Sequence, residues 1–292
     1  MPTAMPGAAV TFPMLGDWFV FTGSNTYSLF GLTFHWYGVI IATGFLLGVL
    51  YCLKTCRNFG ITDDELTDAI LYGVPIGIIG ARLYYVLFRL DYYLTKPAEI
   101  LMIWTGGLAI FGCIIAIVIF CVIFCRHRKI PIGALLDVVC FGLLIGQSIG
   151  RWANFVNREA FGAVTDIFCR MGLTLPGQET IYVHPTFLYE SLWNLCFFII
   201  LLVLNHRRIR KFDGQYFLMY IGWYGLGRMI IESLRTDSLY LFNTGIRVSQ
   251  LLAGLCFIAA GAALIIRLRR SGGPDALWVN RRPDSRSESS IE

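Results

Sequence analysis

Charge is scarce in this chain of 292 residues: only 15% are Asp, Glu, Lys or Arg, against about 25% in an average soluble domain. So few charges cannot cover a soluble surface of this size. The same shortage excludes a disordered chain, a collagen and a coiled coil. Also missing is a basic segment ahead of the first apolar stretch, so the N-terminus does not read as a cleaved signal. No internal repeat is visible, inverted or parallel, which argues against the commoner transporter folds. Hydrophobic residues make up 56% of the sequence, and the mean hydropathy is +0.64. The composition is that of an all-α polytopic membrane protein.

Nine cysteines suggest a disulfide or metal framework until they are placed. Seven of them, Cys52, Cys113, Cys121, Cys125, Cys140, Cys196 and Cys256, lie in or at the edge of apolar runs, where Cys serves as a small hydrophobe. Cys121 and Cys125 lack the pair of further His or carboxylate neighbours that would complete a tetrahedral site. Neither a metal nor a cofactor is expected.

A helix needs about 20 apolar residues to cross a bilayer, and seven stretches qualify, near 35–54, 69–90, 106–125, 132–150, 185–205, 214–234 and 247–267. The expected organisation is an interfacial arm over 1–34, broken by Pro6, Pro13, Gly16 and Gly23, then a transmembrane domain over 35–270 with an extracytoplasmic loop at about 151–184. A Gly-, Pro- and Ser-containing tail over 271–292 reads as disordered.

The net charge of +5 is distributed as short basic runs between apolar stretches: Arg126-His127-Arg128-Lys129, Arg207-Arg208-Ile209-Arg210-Lys211 and Arg267-Leu268-Arg269-Arg270. Such runs suit loops facing anionic headgroups rather than a nucleic-acid groove, so no nucleic-acid partner is expected. Fifteen lysines and arginines fall on the side of the C-terminus and seven on the other. That bias orients the N-terminus outside and the C-terminus in the cytoplasm.

Ionisable groups inside a span are costly unless paired or facing a wet cavity. This chain keeps Arg82, Asp137, Arg151, Glu190, Arg228 and Glu232 in or at the ends of spans. Six together, three of them arginines, predict a common polar cavity, and a guanidinium fork matches phosphate bidentately. Arg151 and Asn154 are three apart and share a face on a continuing helix, a pair able to grip an anion and hydrogen-bond an ester. Arg228, Glu232 and Arg235 follow at spacings of four and three, one stripe in which the carboxylate holds its arginines. His184-Pro185 opens the fifth span and puts Tyr189 and Glu190 one to two turns inside it, with His184 either a proton carrier or a hydrogen-bonding residue.

Together these clusters resemble the prolipoprotein diacylglyceryl transferase family of the bacterial inner membrane, over most of residues 34–250. The matching pieces are His35-Trp36-Tyr37-Gly38, Gly80-Ala81-Arg82 through Phe88, Trp104 through Ile110, and the run Gly150-Arg151-Trp152-Ala153-Asn154-Phe155-Val156-Asn157-Arg158-Glu159-Ala160-Phe161-Gly162. His184 through Glu190, Tyr224 through Arg235 and Arg247-Val248-Ser249-Gln250 complete them. The resemblance implies a seven-span enzyme with its site toward the outer face. Such an enzyme moves the diacylglyceryl group of phosphatidylglycerol onto the thiol of a lipobox cysteine in a prolipoprotein signal peptide, forming a thioether and releasing glycerol-1-phosphate. Its partners would be those two substrates and the surrounding membrane lipids.

The resemblance further implies that Arg151 and Arg228 are the essential pair, with Arg151 binding phosphatidylglycerol. Tyr37, Asn154, Glu159, Gly162, Glu232 and Arg235 would join them. Arg82, Tyr189 and Glu190 are added as binding residues from their position in the matched segments, and His184 and Glu232 as candidates to accept the thiol's proton. One position departs from the family: after Gly106-Gly107-Leu108 a His or Tyr precedes Gly-Gly, whereas this chain reads Phe111-Gly112-Cys113. Phe carries no proton. Either the base lies elsewhere, or water beside the arginines takes the proton, or the chain is a diverged paralogue. A transporter of anionic lipid or small anions is the reading from another class. It would spread charge through the bilayer depth, whereas here charge gathers near the outer ends of spans four and six.

Overall fold

The computed structural model describes residues 4–16, 18–29, 32–236 and 247–282. Nine α-helices are found among them: α1 (Trp36–Thr55), α2 (Asp63–Leu87), α3 (Leu90–Thr95), α4 (Ile110–Arg128), α5 (Ile132–Asn157), α6 (Thr186–His206), α7 (Gln215–Glu232), α8 (Val248–Arg270) and α9 (Trp278–Arg281). Six of these are long and apolar enough to cross a membrane. The seventh expected span corresponds to α7, which at 18 residues carries Gln215, Arg228 and Glu232 and is not one of the six.

Local chemistry moves several boundaries from those expected. α2 begins at Asp63 rather than near 69 because Thr62 and Glu65 form a reciprocal cap, Glu65 N donating to Thr62 Oγ1 at 3.2 Å and Thr62 N to Glu65 Oε2 at 2.9 Å. α4 starts at Ile110 because Gly106 and Gly107 take left-handed φ values of 91° and 73°, which no helix admits. α5 continues past 150 to Asn157, so Arg151 and Asn154 both sit on its last turns.

α5 is the central helix, packed by α1, α6 and α7, while α2 pairs with α4 and α8 lies along α7. The α1–α5 crossing is close because glycines face one another. A Cβ on Gly48 would sit 2.8 Å from the Gly142 carbonyl oxygen, the small-residue device by which helices approach in lipid. α6 and α7 are locked by a reciprocal pair: Trp193 Nε1 donates to the Trp223 carbonyl and Trp223 Nε1 to the Trp193 carbonyl, both at 3.0 Å, with the rings 4.4 Å apart.

The N-terminal arm contributes strands to a small β structure. β1 (Ala9–Thr11) pairs with β2 (Val20–Phe21) and with β5 (Met171–Thr174), which pairs with β6 (Ile181–Val183), all antiparallel. A separate hairpin joins β3 (Thr26–Leu29) to β4 (Leu32–His35) and leads into α1. Arg158 holds this head together. It is 1% exposed, and donates to the Ala8 carbonyl at 3.0 Å and to Asn25 Oδ1, Val156 O and Gly23 O at 2.6 Å. Breaks at proline and glycine were legible, but strands of two to four residues carry too little pattern to read.

The tail also differs from expectation. Over 271–282 it folds onto the membrane domain instead of remaining disordered: Arg282 grips Glu65 through two bonds at 2.8 and 3.0 Å, Trp278 Nε1 donates to Gly60 O at 3.0 Å, and Trp278 N donates to Asp213 Oδ2 at 3.0 Å. Polar composition hid this because the docking rests on a few specific side chains. Residues 283–292 lie outside the described residues.

Candidate active site

Four of the six charged groups expected to share a cavity do come together, at one end of the bundle. Glu190, 6% exposed in the second turn of α6, is the hub. Its Oε2 lies 2.5 Å from Arg151 Nη2 of α5, and its Oε1 lies 3.4 Å from both Arg228 Nη1 of α7 and Arg235 Nη1. Arg228 Nη2 in turn meets Glu232 Oε2 at 2.7 Å. Among the described residues, three guanidinium groups therefore meet two carboxylates here. Burial of Glu190 and Glu232 strengthens these electrostatic contacts, and losing one partner of a buried pair costs about 3–5 kcal/mol.

Arg235 does not extend the helical stripe. α7 ends at Glu232, and Arg235 lies in extended backbone forming an antiparallel bridge with Gly162. Gly162 is a packing residue at that seam. A Cβ there would come 2.7 Å from His184 Cβ and 2.8 Å from the Leu234 carbonyl, so only glycine lets the 162–163 backbone bond to both His184 and Leu234. Beyond the expected set, Arg247 donates to the Glu232 carbonyl and Gln250 Nε2 to Met229 O at 3.1 Å, occupying carbonyls that a helix end leaves unsatisfied.

Arg151 and Asn154 project from the end of α5. Asn154 Nδ2 donates to Glu159 Oε1 at 3.0 Å and Asn157 Nδ2 to the same oxygen at 3.3 Å, so Glu159 fixes the asparagines. The turn is closed by left-handed Arg158 and Ala160. Tyr37, in the first turn of α1, joins Arg151 and Asn154 at the mouth of a cleft of about 470 Å³ between α1 and α5. Trp152 Nε1 donates to Ser191 Oγ at 3.2 Å, and Ser191 Oγ to Ser148 O at 2.8 Å, which secures α5 to α6 beside Glu190. Lone serines and a tryptophan in apolar runs gave no signal of this.

His184 is half-buried between β6 and α6, and burial lowers its pKa below the usual histidine value, keeping it neutral near pH 7. Its Nδ1 lies 3.3 Å from Tyr189 OH, which also lies 3.5 Å from Cys169 Sγ. Phe111 is 51% exposed in the first turn of α4.

Two of the six charged residues lie apart from this cluster. Arg82 spends its guanidinium on backbone: Nε donates to Ile100 O at 2.9 Å, Nη1 to Gly106 O and Gly107 O at 2.7 and 2.9 Å, and Nη2 to Glu99 O at 2.6 Å. It thereby folds the segment ahead of α4. Asp137 lies fourteen residues before Arg151 on α5, about 21 Å along the axis, where it accepts from Gly214 N at 2.8 Å and Phe217 N at 3.0 Å and caps α7. Sequence spacing shows a charge in a span but not whether backbone or another side chain will occupy it.

Residues 25–267 match the family model described as prolipoprotein diacylglyceryl transferase. The chain is 43% identical over 251 residues to the phosphatidylglycerol–prolipoprotein diacylglyceryl transferase of Lactiplantibacillus plantarum, covering 84% of this chain and 88% of the relative. It is 44% identical over 246 residues to that of Limosilactobacillus reuteri, covering 82% and 89%, and 42% identical over 250 residues to that of Listeria welshimeri, covering 83% and 89%. With the arginine signature, the charged cluster and the family match on the same segments, this multi-pass membrane protein belongs to the prolipoprotein diacylglyceryl transferase family.

Proposed function

We propose that the protein transfers the diacylglyceryl group of phosphatidylglycerol to the lipobox cysteine thiol of prolipoproteins. The observation that carries this is the convergence of three guanidinium groups on Glu190, one of which, Arg151, also lines an apolar cleft. The phosphate is bound by Arg151 and Arg228, with Arg235 completing the positive wall. The substrate's thiolate attacks the glyceryl carbon bearing the phosphate ester. The new S–C bond forms as the C–O bond breaks, and the electron pair leaves on the phosphate oxygen of glycerol-1-phosphate. Fixed guanidinium groups stabilise that developing charge without reorganising. The thiol's proton must be taken first, because the thiolate is the nucleophile.

Of the two candidate acceptors, Glu232 is engaged with Arg228, whereas His184 is held neutral by burial and linked through the Gly162 backbone to the Arg235 strand. His184 is therefore the better-supported acceptor. Tyr37, Asn154 and Glu159 shape the binding mouth, and Tyr189 orients His184. Arg82 and Gly162 support binding through the backbone they position. Phe111 takes no part in proton transfer.

The reading includes seven spans in the bacterial inner membrane, N-terminus outside and C-terminus in the cytoplasm. α7, about 27 Å long at 1.5 Å per residue, nearly matches the ~30 Å apolar thickness and lies along α8. Purified protein in nanodiscs with phosphatidylglycerol and a lipobox peptide tests the activity: the peptide gains the mass of one diacylglyceryl group. No gain from a folded preparation points instead to a diverged paralogue or a transporter of anionic lipid.

A further inference from the structure

The cleft below Arg151 has a shape that anion binding alone does not need. It follows α1 from Tyr37 to Cys52 and α5 from Asn154 back to Val139, fifteen residues on each helix, or about 22 Å at 1.5 Å per residue. One leaflet's apolar layer is only ~15 Å deep, so the cleft is long enough for a fully extended acyl chain. Arg151 and Asn154 lie at its mouth, Gln147 lies one turn further in, and Leu66 and Ile70 of α2 line its inner end. Gly142, Gly146 and Gly150 recur every four residues of α5 along this trough; Gly142 and Gly150 pack against Cys52 and Ile41 of α1, where an added Cβ would come within 2.8 and 3.2 Å. Gly146 is open toward the cleft: an added Cβ would meet only the Gly44 carbonyl oxygen, at 3.9 Å.

We propose that this trough holds one acyl chain of the donor lipid and measures its length, so that Gly146 and Ile70 set which chain lengths are transferred. The proposal rests on the transferase reading and deepens it. The phosphate is held at the Arg151 end, the chain runs along the α5 glycines, and its methyl end meets Leu66 and Ile70. The donor's second chain stays in the bilayer. A side chain at position 146, about 12 Å from the mouth, should stop the chain midway. A larger side chain at position 70 should shorten the trough only at its end.

The test compares transfer to a lipobox peptide from dioctanoyl, dimyristoyl and distearoyl phosphatidylglycerol, for wild type, Gly146→Leu and Ile70→Trp. Ile70→Trp should lose at least tenfold with distearoyl lipid and keep wild-type rates with the two shorter donors. Gly146→Leu should lose at least tenfold with both longer donors and keep its rate with dioctanoyl lipid. Retention of the same three lipids, read by native mass spectrometry, should follow the same order and does not depend on turnover. Equal losses on all three donors, or none, would overturn the chain-length reading while wild-type transfer upholds the function. Absence of wild-type transfer would defeat the function, and the retention order would still decide whether the trough measures chains.

Discussion

Glu190 holds Arg151 at 2.5 Å across the contact between α6 and α5, and its other oxygen faces Arg228 and Arg235. One carboxylate thus gathers Arg151 from α5 with Arg228 and Arg235 from α7 and just past its end, and it is the residue whose removal should scatter them. Glu190→Gln keeps the shape and removes the charge. It should lower transfer at least a hundredfold and destabilise the protein by about 3–5 kcal/mol, the usual cost of breaking a buried pair. Peptide mass and thermal unfolding in detergent measure the two effects.

Arg228→Lys should retain a positive charge yet lose most activity, because an ammonium cannot bridge Glu190 and Glu232 as a planar fork does. Rates within threefold of wild type would show that charge suffices there.

Phe111→His supplies a proton carrier where the chain lacks one. With the acceptor elsewhere, the substitution should change the rate less than about threefold. A large gain in turnover would show that the natural site is crippled at that position.

Burial depresses the His184 pKa in the folded protein, so the unfolded chain binds the proton more readily. Stability should therefore fall as pH drops from the unfolded value of about 6.5 through the lower folded value, and this contribution should be constant above that window. His184→Gln should flatten that part of the curve, seen as a smaller change in Tm between neutral and mildly acidic buffer. An unchanged slope would place the titration on another group.

The docked tail lies beyond the segment matched by the family, which ends at 267. Arg282→Ala, which removes the bidentate contact to Glu65, should cost about 1.5–3 kcal/mol, the range for hydrogen bonds to charged groups, with transfer preserved. A lost activity at unchanged Tm would assign the tail a part in turnover.

The helices and the clustered arginines were legible because both leave strong marks: apolar runs of membrane length, and charges that lipid does not tolerate unpaired. The hub was less so. Glu190 was singled out as a binding residue, but nothing in one-dimensional spacing tells that Arg151 and the distant Arg228–Arg235 segment converge on it. Arg82 and Asp137 looked equivalent to the others in composition. Only the fold reveals that carbonyls of 99–107 and the amides opening α7 occupy them. The short strands of the head and the docking of Trp278 depend on a handful of contacts and had no periodic signature.

The central claim is that Arg151, fixed by Glu190, binds the donor's phosphate for transfer. Its most direct test is the mass of a lipobox peptide after incubation with phosphatidylglycerol and either wild-type or Arg151→Ala protein, both inserted and folded. Wild type should add one diacylglyceryl group and Arg151→Ala none. Wild-type-like addition by Arg151→Ala would contradict the account.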